Sequence, residues 1–170
     1  MPKIILVDKQ DRIIGCEEKM KVHELGLLHR AFSIFVFNTR GELLLQKRSL
    51  SKYHSGGLWS NTCCGHQRPG ESLAQAVSKR LKAEMGFGCR LKELFSFSYS
   101  VKLDHGLAEN ELDHVFVGVS DRKPKINAGE ISEYRYVSPE ALASDIKLHP
   151  RLYTKWFKII VKKYSNHIFQ

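Results

Sequence analysis

The chain has 170 residues, 42% of them hydrophobic and 10% aromatic, which is enough apolar material for one domain with a real core and excludes a disordered chain. A net charge of +9 points to an anionic partner. The basic residues are dispersed with no basic run or tail, which makes nucleic acid the weaker choice beside a phosphorylated metabolite.

The first apolar run, Ile4 to Val7, is too short for a signal-peptide core, and Ala31 to Phe37, broken by Ser33, is far below a membrane span. Cys16, Cys63, Cys64 and Cys89 show no CxxC spacing, so reduced thiols in a soluble, cytoplasmic protein are expected. Phe32 to Phe37 and Glu42 to Lys47 are strand-like runs joined across Asn38 to Gly41, which predicts a hairpin. Leu58 to Cys64 reads as one short strand. Ser72 followed by Gln75 is a capping-box signature that opens a helix, and Gly86 closes it. Leu73, Ala76, Val77 and Leu81 form its core-facing stripe. Strands follow near Leu94 to Val101, Leu112 to Val119 and Glu133 to Val137. Pro139 starts a short helix, and Pro150 opens a last one to about Tyr164, with Tyr153, Trp156, Phe157 and Ile160 on its apolar face. Mostly antiparallel strands around a central helix predict an α+β sandwich, one domain spanning 1–170.

The chemistry lies in pairs. Residues i and i+2 of a strand share a side, so Cys64 and His66 face one way and Cys63 the other, while Glu109 and Glu111 share a side of the next candidate strand. Imidazole and carboxylates suit a divalent cation, and a thiol beside them suits acid–base work. Each pair alone also fits satisfied polar residues, and His23 and His29 alone fit a loop. Arg80 and Glu84 fall on the stripe of Ala76, Val77 and Leu81, either as a buried i,i+4 ion pair or as a guanidinium for an anion and a carboxylate for a metal.

The segment from Gly65 to Phe87 resembles a Nudix box, Gly-x5-Glu-x7-Arg-Glu-U-x-Glu-Glu-x-Gly-U with U aliphatic. Gly65, Glu71, Leu81, Glu84, Gly86 and Phe87 match it, whereas Lys79-Arg80 replaces Arg-Glu and Ala83 replaces a glutamate. That loss removes the carboxylate cluster a Nudix pyrophosphohydrolase uses to activate water. The altered box, with GLLHRAF (Gly26 to Phe32), WSNTCCGH (Trp59 to His66), AENELDHVF (Ala108 to Phe116) and Trp156, resembles type 1 isopentenyl-diphosphate delta-isomerases over nearly the whole chain.

The resemblance implies a Nudix-like α/β/α sandwich with mixed, mostly antiparallel sheets. It implies that His23, His29, His66, Glu109 and Glu111 bind one divalent cation, zinc or manganese, and that Glu84 holds Mg2+ with the substrate diphosphate. Lys19, Arg48, Lys52 and Arg80 match residues that contact the diphosphate. Cys64 and Glu111 match the acid–base pair that moves the double bond, Tyr99 a residue that assists protonation beside the carboxylate, and Trp156 an aromatic face toward the carbocation. His54, His105 and His114 fall outside the ligand pattern. Gln67 stands where relatives carry proline, which implies a looser loop after His66. No flavin or nucleotide cofactor, no nucleic acid and no membrane is expected, and the chain is expected to be a monomer or weak dimer. The competing readings are a Nudix pyrophosphohydrolase on nucleotide diphosphates and a non-enzymatic nucleic-acid or zinc-binding module.

Overall fold

A computed structural model describes residues 1–170. In chain order its strands are β1 (Lys3–Val7), β2 (Ile13–Glu18), β3 (His29–Phe37), β4 (Leu43–Arg48), β5 (Trp59–Ser60), β6 (Cys63–His66), β7 (Leu91–Lys102), β8 (Ala108–Val119) and β9 (Ile131–Val137). Its helices are α1 (Lys19–Leu25), α2 (Leu73–Met85), α3 (Pro139–Leu148) and α4 (Lys155–Ile168).

β3 organises everything. Residues 31–36 are all buried, the pattern of a strand covered on both faces. One edge pairs in parallel with β8 from His29↔Glu111 to Phe37↔Val119. The other meets β1 at His29, runs antiparallel to β6 and touches β4 at its end. The predicted hairpin between β3 and β4 is therefore only a corner, with Phe37↔Leu43 its one paired position, and β4 continues against β9 and β5 instead. β8 pairs antiparallel with β7, giving a mixed sheet covered by helices, as the α+β expectation required.

The predicted strand over residues 58–64 divides into β5 and β6. Between them Thr62 and Asn61 replace ladder bonds with side-chain ones: Thr62 Oγ1 donates to the Leu44 carbonyl at 2.6 Å and accepts from the Val36 amide at 2.9 Å. Asn61 Nδ2 donates to the Ile34 and Cys63 carbonyls at 3.2 and 2.8 Å.

Two apolar clusters lie on opposite faces. Phe35, Val115, Phe97 and Tyr99 pack with Trp156, Phe157 and Ile160 of α4, and Phe32, Ile34 and Cys63 pack with Ala76, Val77 and Leu81 of α2. α2 begins as predicted, with the Ser72–Gln75 capping box intact, and ends at Gly86 in the left-handed region at φ 75°. A Cβ on Gly86 would also stand 2.7 Å from the Lys125 carbonyl oxygen. Pro150 opens only a 3-10 turn over residues 150–152. α4 starts at Lys155 after Thr154 and runs to Ile168, four residues past the predicted end.

Candidate active site

Register explains how distant residues meet. His29, Glu111 and Tyr99 are lateral neighbours on β3, β8 and β7, and Glu109 is opposite Val101 one row away. The β3–β6 ladder sets Ala31 opposite His66 and Ser33 opposite Cys64. Gly65 permits that approach, since a Cβ there would lie 2.6 Å from the Phe32 ring. His23 arrives from α1, a short helix the sequence patterning did not predict.

The three imidazoles form a triangle with ring centroids 5.0, 5.0 and 5.3 Å apart. His23 Nδ1 bonds to the Lys19 carbonyl at 2.7 Å and His29 Nδ1 to the Leu27 carbonyl at 2.8 Å. A carbonyl only accepts, so each Nδ1 carries the proton and each Nε2 a lone pair. Both Nε2 atoms are buried without a hydrogen-bond partner. His29 Nε2 stands 3.3 Å from Glu111 Oε1, and His66 Nε2 is 2.9 Å from the same oxygen. Lone pairs so placed repel unless a proton or cation lies between them. The ligand atoms of His23, His29, His66 and Glu111 lie within 4.8 Å of one another.

Ionisation agrees with ligation. Burial holds the His23 imidazole below its ordinary range and His66 well below. Burial opposes charge on Glu111, and an N–H donated by the His29 and His66 imidazoles, or a cation in its place, holds its carboxyl well below the usual range. Glu109 is pushed the other way, by burial and by the charge of Glu111. Neutral imidazoles and an ionised carboxylate are the states a divalent cation requires.

His66, Glu109 and Glu111 line one wall of a cavity of about 320 Å³, with His23 and His29 behind them. Cys64 and Trp156 line it too. The Cys64 thiol lies 3.2 Å from Asn61 Oδ1, to which it donates, and 3.8 Å from Ser33 Oγ, which donates to Asp113 Oδ2 at 2.7 Å. Burial, then the nearby Asp113 carboxyl, push the thiol up to about 12, so it is protonated at neutral pH. Tyr99 donates its hydroxyl proton toward Glu111 at 2.5 Å and Glu109 at 2.9 Å. Lys19, Arg48, Lys52 and Arg80 all line the cavity. The Arg48 guanidinium carbon stands 5.2 Å from the Trp156 ring centroid, and Lys19 Nζ stands 4.9 Å from that of Tyr53. A thiol, two carboxylates and four basic side chains thus share one cavity, with the imidazole triangle at its wall.

The NUDIX domain family matches residues 27–157. "Isopentenyl-diphosphate Delta-isomerase 2" of Photorhabdus laumondii is 51% identical over 162 residues, 95% of this chain and 92% of that protein. The chain belongs to the isopentenyl-diphosphate Delta-isomerase family. The isomerase of Pectobacterium atrosepticum is 46% identical, covering 94% of this chain and 89% of its own length. Among solved structures, a Deinococcus radiodurans protein at TM-score 0.77 and 19% identity covers 95% of this chain and 99% of its own. The MutT protein of Methanosarcina mazei follows at TM-score 0.67 and 20% identity, covering 82% and 94%. At those identities they show the Nudix fold.

Within this isomerase family framework, Glu84 is the expected site residue set apart. It is 2% exposed, accepts from Gln46 Nε2 at 2.7 Å, and pairs with Arg80; it lies beneath the cavity wall. Both readings of the Arg80–Glu84 stripe therefore meet in one place: the ion pair is formed, and its guanidinium faces the cavity. Arg80 also donates to the Cys64 carbonyl at 3.1 Å and to Glu130 at 2.9 Å. Glu109 stands beside the four-ligand cage, facing His54. His54, excluded by the sequence pattern, lines the cavity, and Asn61, Ser33 and Asp113 surround the thiol; no spacing signal marked them. The loop after His66 is not loose, because buried Gln67 accepts from Arg30 at 2.8 Å and donates to the Glu71 carbonyl at 2.7 Å.

Proposed function

We propose that this isopentenyl-diphosphate Delta-isomerase moves the double bond with Cys64 and Glu111 as its acid–base pair. The observation that carries the reading is a thiol held protonated and a carboxylate held ionised on the walls of one cavity. In the forward direction Cys64 donates a proton to the terminal methylene of isopentenyl diphosphate, leaving a tertiary cation at the branched carbon. Glu111 takes a proton from the methylene on the other side, the electron pair closes the new double bond, and dimethylallyl diphosphate results. Tyr99 assists proton transfer at Glu111 through its 2.5 Å contact. Burial excludes water that would capture the cation, and the Trp156 ring faces it.

Lys19, Arg48, Lys52 and Arg80 bind the diphosphate and anchor the isoprenyl group between acid and base. His23, His29, His66, Glu111 and Glu109 are the residues that would hold one divalent cation, with zinc or manganese suiting that donor set. When bound, it supplies positive charge that orients Glu111 and lowers its proton affinity. Glu84 is the residue we assign to Mg2+ accompanying the diphosphate; Arg80 must then yield its place on that carboxylate. Four free thiols suit a cytoplasmic setting, and the chain acts on a small diphosphate as a monomer or weak dimer without nucleic acid.

The test is deuterium incorporation from solvent. Incubation with isopentenyl diphosphate in deuterated water should place deuterium in the new methyl group, read by NMR. Cys64→Ala and Glu111→Gln should each lower turnover by at least about a thousandfold, about 4 kcal/mol of transition-state stabilisation. Near-normal turnover by Cys64→Ala would remove the thiol from the mechanism.

A further inference from the structure

One histidine in the cavity has no part in the reaction just derived. His54 is 5% exposed, and its Nε2 lies 3.7 Å from Oε1 of Glu109, itself 4% exposed. The ligand atoms of His23, His54 and Glu109 lie within 4.8 Å of one another, as those of the four-residue cage do. His23 belongs to both groups, and its Nε2 is buried and unpartnered.

The loop fixes His54 in place. Its ring meets Tyr53 edge-on at 4.4 Å and Trp156 at 5.7 Å between centroids. Its Nδ1 is 3.2 Å from Ser55 Oγ, and its carbonyl accepts from Arg48 Nη2 at 3.2 Å. Ser55 itself holds φ 52°, a left-handed conformation costing roughly 1 kcal/mol for a residue with a side chain. The turn leaves the His54 imidazole beside the buried Glu109 carboxylate and the unpartnered His23 Nε2.

We propose that His54 is a metal-binding residue: with His23 and Glu109 it forms a second position for the divalent cation, adjoining the His23–His29–His66–Glu111 cage. The inference rests on the reading that the cage takes a cation. The tautomer of His23 limits the arrangement. Its Nδ1 proton is committed to the Lys19 carbonyl, so it has a single lone pair and can serve one ion at a time. The two positions are therefore alternatives for one cation rather than a two-metal centre. His23 and Glu109 serve both positions, whereas His29, His66 and Glu111 hold the cation only in the cage and His54 only in the second position.

Long-range 15N–1H NMR of the imidazoles during Zn2+ addition to the full, metal-stripped chain tests this directly. Ligation should move His54 Nε2 together with His23, His29 and His66 Nε2. Movement of those three with His54 unchanged would overturn the second position and leave the cage intact. No movement of any of the four would overturn the cage reading and this inference with it. Co2+ titration followed by visible absorption supplies a second measurement. His54→Ala should weaken Co2+ binding by about the share of ion that the second position holds, up to roughly twofold where the two positions are equally filled, and change the ligand-field bands. His54→Gln can still hydrogen-bond to Glu109 but offers no imidazole lone pair, and it should behave like His54→Ala. If His54→Gln instead restores the wild-type affinity and spectrum, His54 only positions Glu109 and is not a ligand.

Discussion

Lys19 shows how a single side chain ties binding to pH. It lies among Lys52, Arg80 and Arg48, with no carboxylate in ion-pair range, whereas Lys52 and Arg80 share Glu130. Burial first, then repulsion from those three cations, bring its ammonium down to about 8 from 10.5. Only the charged form attracts a diphosphate, so kcat/KM should fall as pH rises through about 8. Stability should move oppositely. The folded chain sheds this proton before the unfolded one, so the unfolded state binds more protons between about pH 8 and 10.5 and Lys19 adds stability as pH rises there. Lys19→Arg keeps its charge and should abolish both trends; a Lys19→Arg profile superimposable on wild type would detach them from this residue. Nothing in the sequence marks this depression, since it depends on three cations brought together from β4, the following loop and α2.

At the scale of elements, legibility followed local signals. α2 announced itself through its cap, stripe and closing glycine, and it stands within one residue of expectation. α1 did not: it has seven residues, no side-chain cap and no acidic first turn, so packing alone holds it. β2 is almost wholly exposed and carries no alternation, which hid it as well. β3 and β4 misled because adjacent apolar runs favour a hairpin locally, while β3 is saturated along both edges by β8 and β6. His29, His66 and Glu111 were legible as candidate ligands through motif resemblance, whereas the imidazole tautomers and the placement of His54 depend on carbonyls and a loop turn that only the fold supplies. The α2 cap gives a clean control. Ser72→Ala removes the acceptor for the Gln75 amide and should cost about 1 kcal/mol, lowering Tm by roughly 2–4 °C with kcat/KM unchanged. A large loss of activity there would mean that the helix start reaches the site.

Across the whole molecule, the cage draws one residue from each of four elements: His23 comes from α1, His29 from β3, His66 from β6 and Glu111 from β8. Each brings a lone pair or a charge into a buried space, so these groups oppose the fold unless something compensates them. A cation bound by the folded chain alone stabilises it by about 2.7 kcal/mol at a free concentration a hundred times its Kd. For a chain of this length that is roughly 5–10 °C in Tm. Removing metal with a chelator should therefore lower Tm by that amount, and Zn2+ or Mn2+ should restore it. Glu111→Gln should shrink the metal-dependent increment, because it withdraws the charged ligand, while Ser72→Ala should leave the increment intact despite its own lower baseline. The comparison separates a cation that ties four elements together from one bound loosely to surface carboxylates, since the latter would give an increment insensitive to Glu111. An unchanged Tm on chelation and on metal addition would dismiss the cage as a cation site and leave His29 and His66 as proton donors to Glu111.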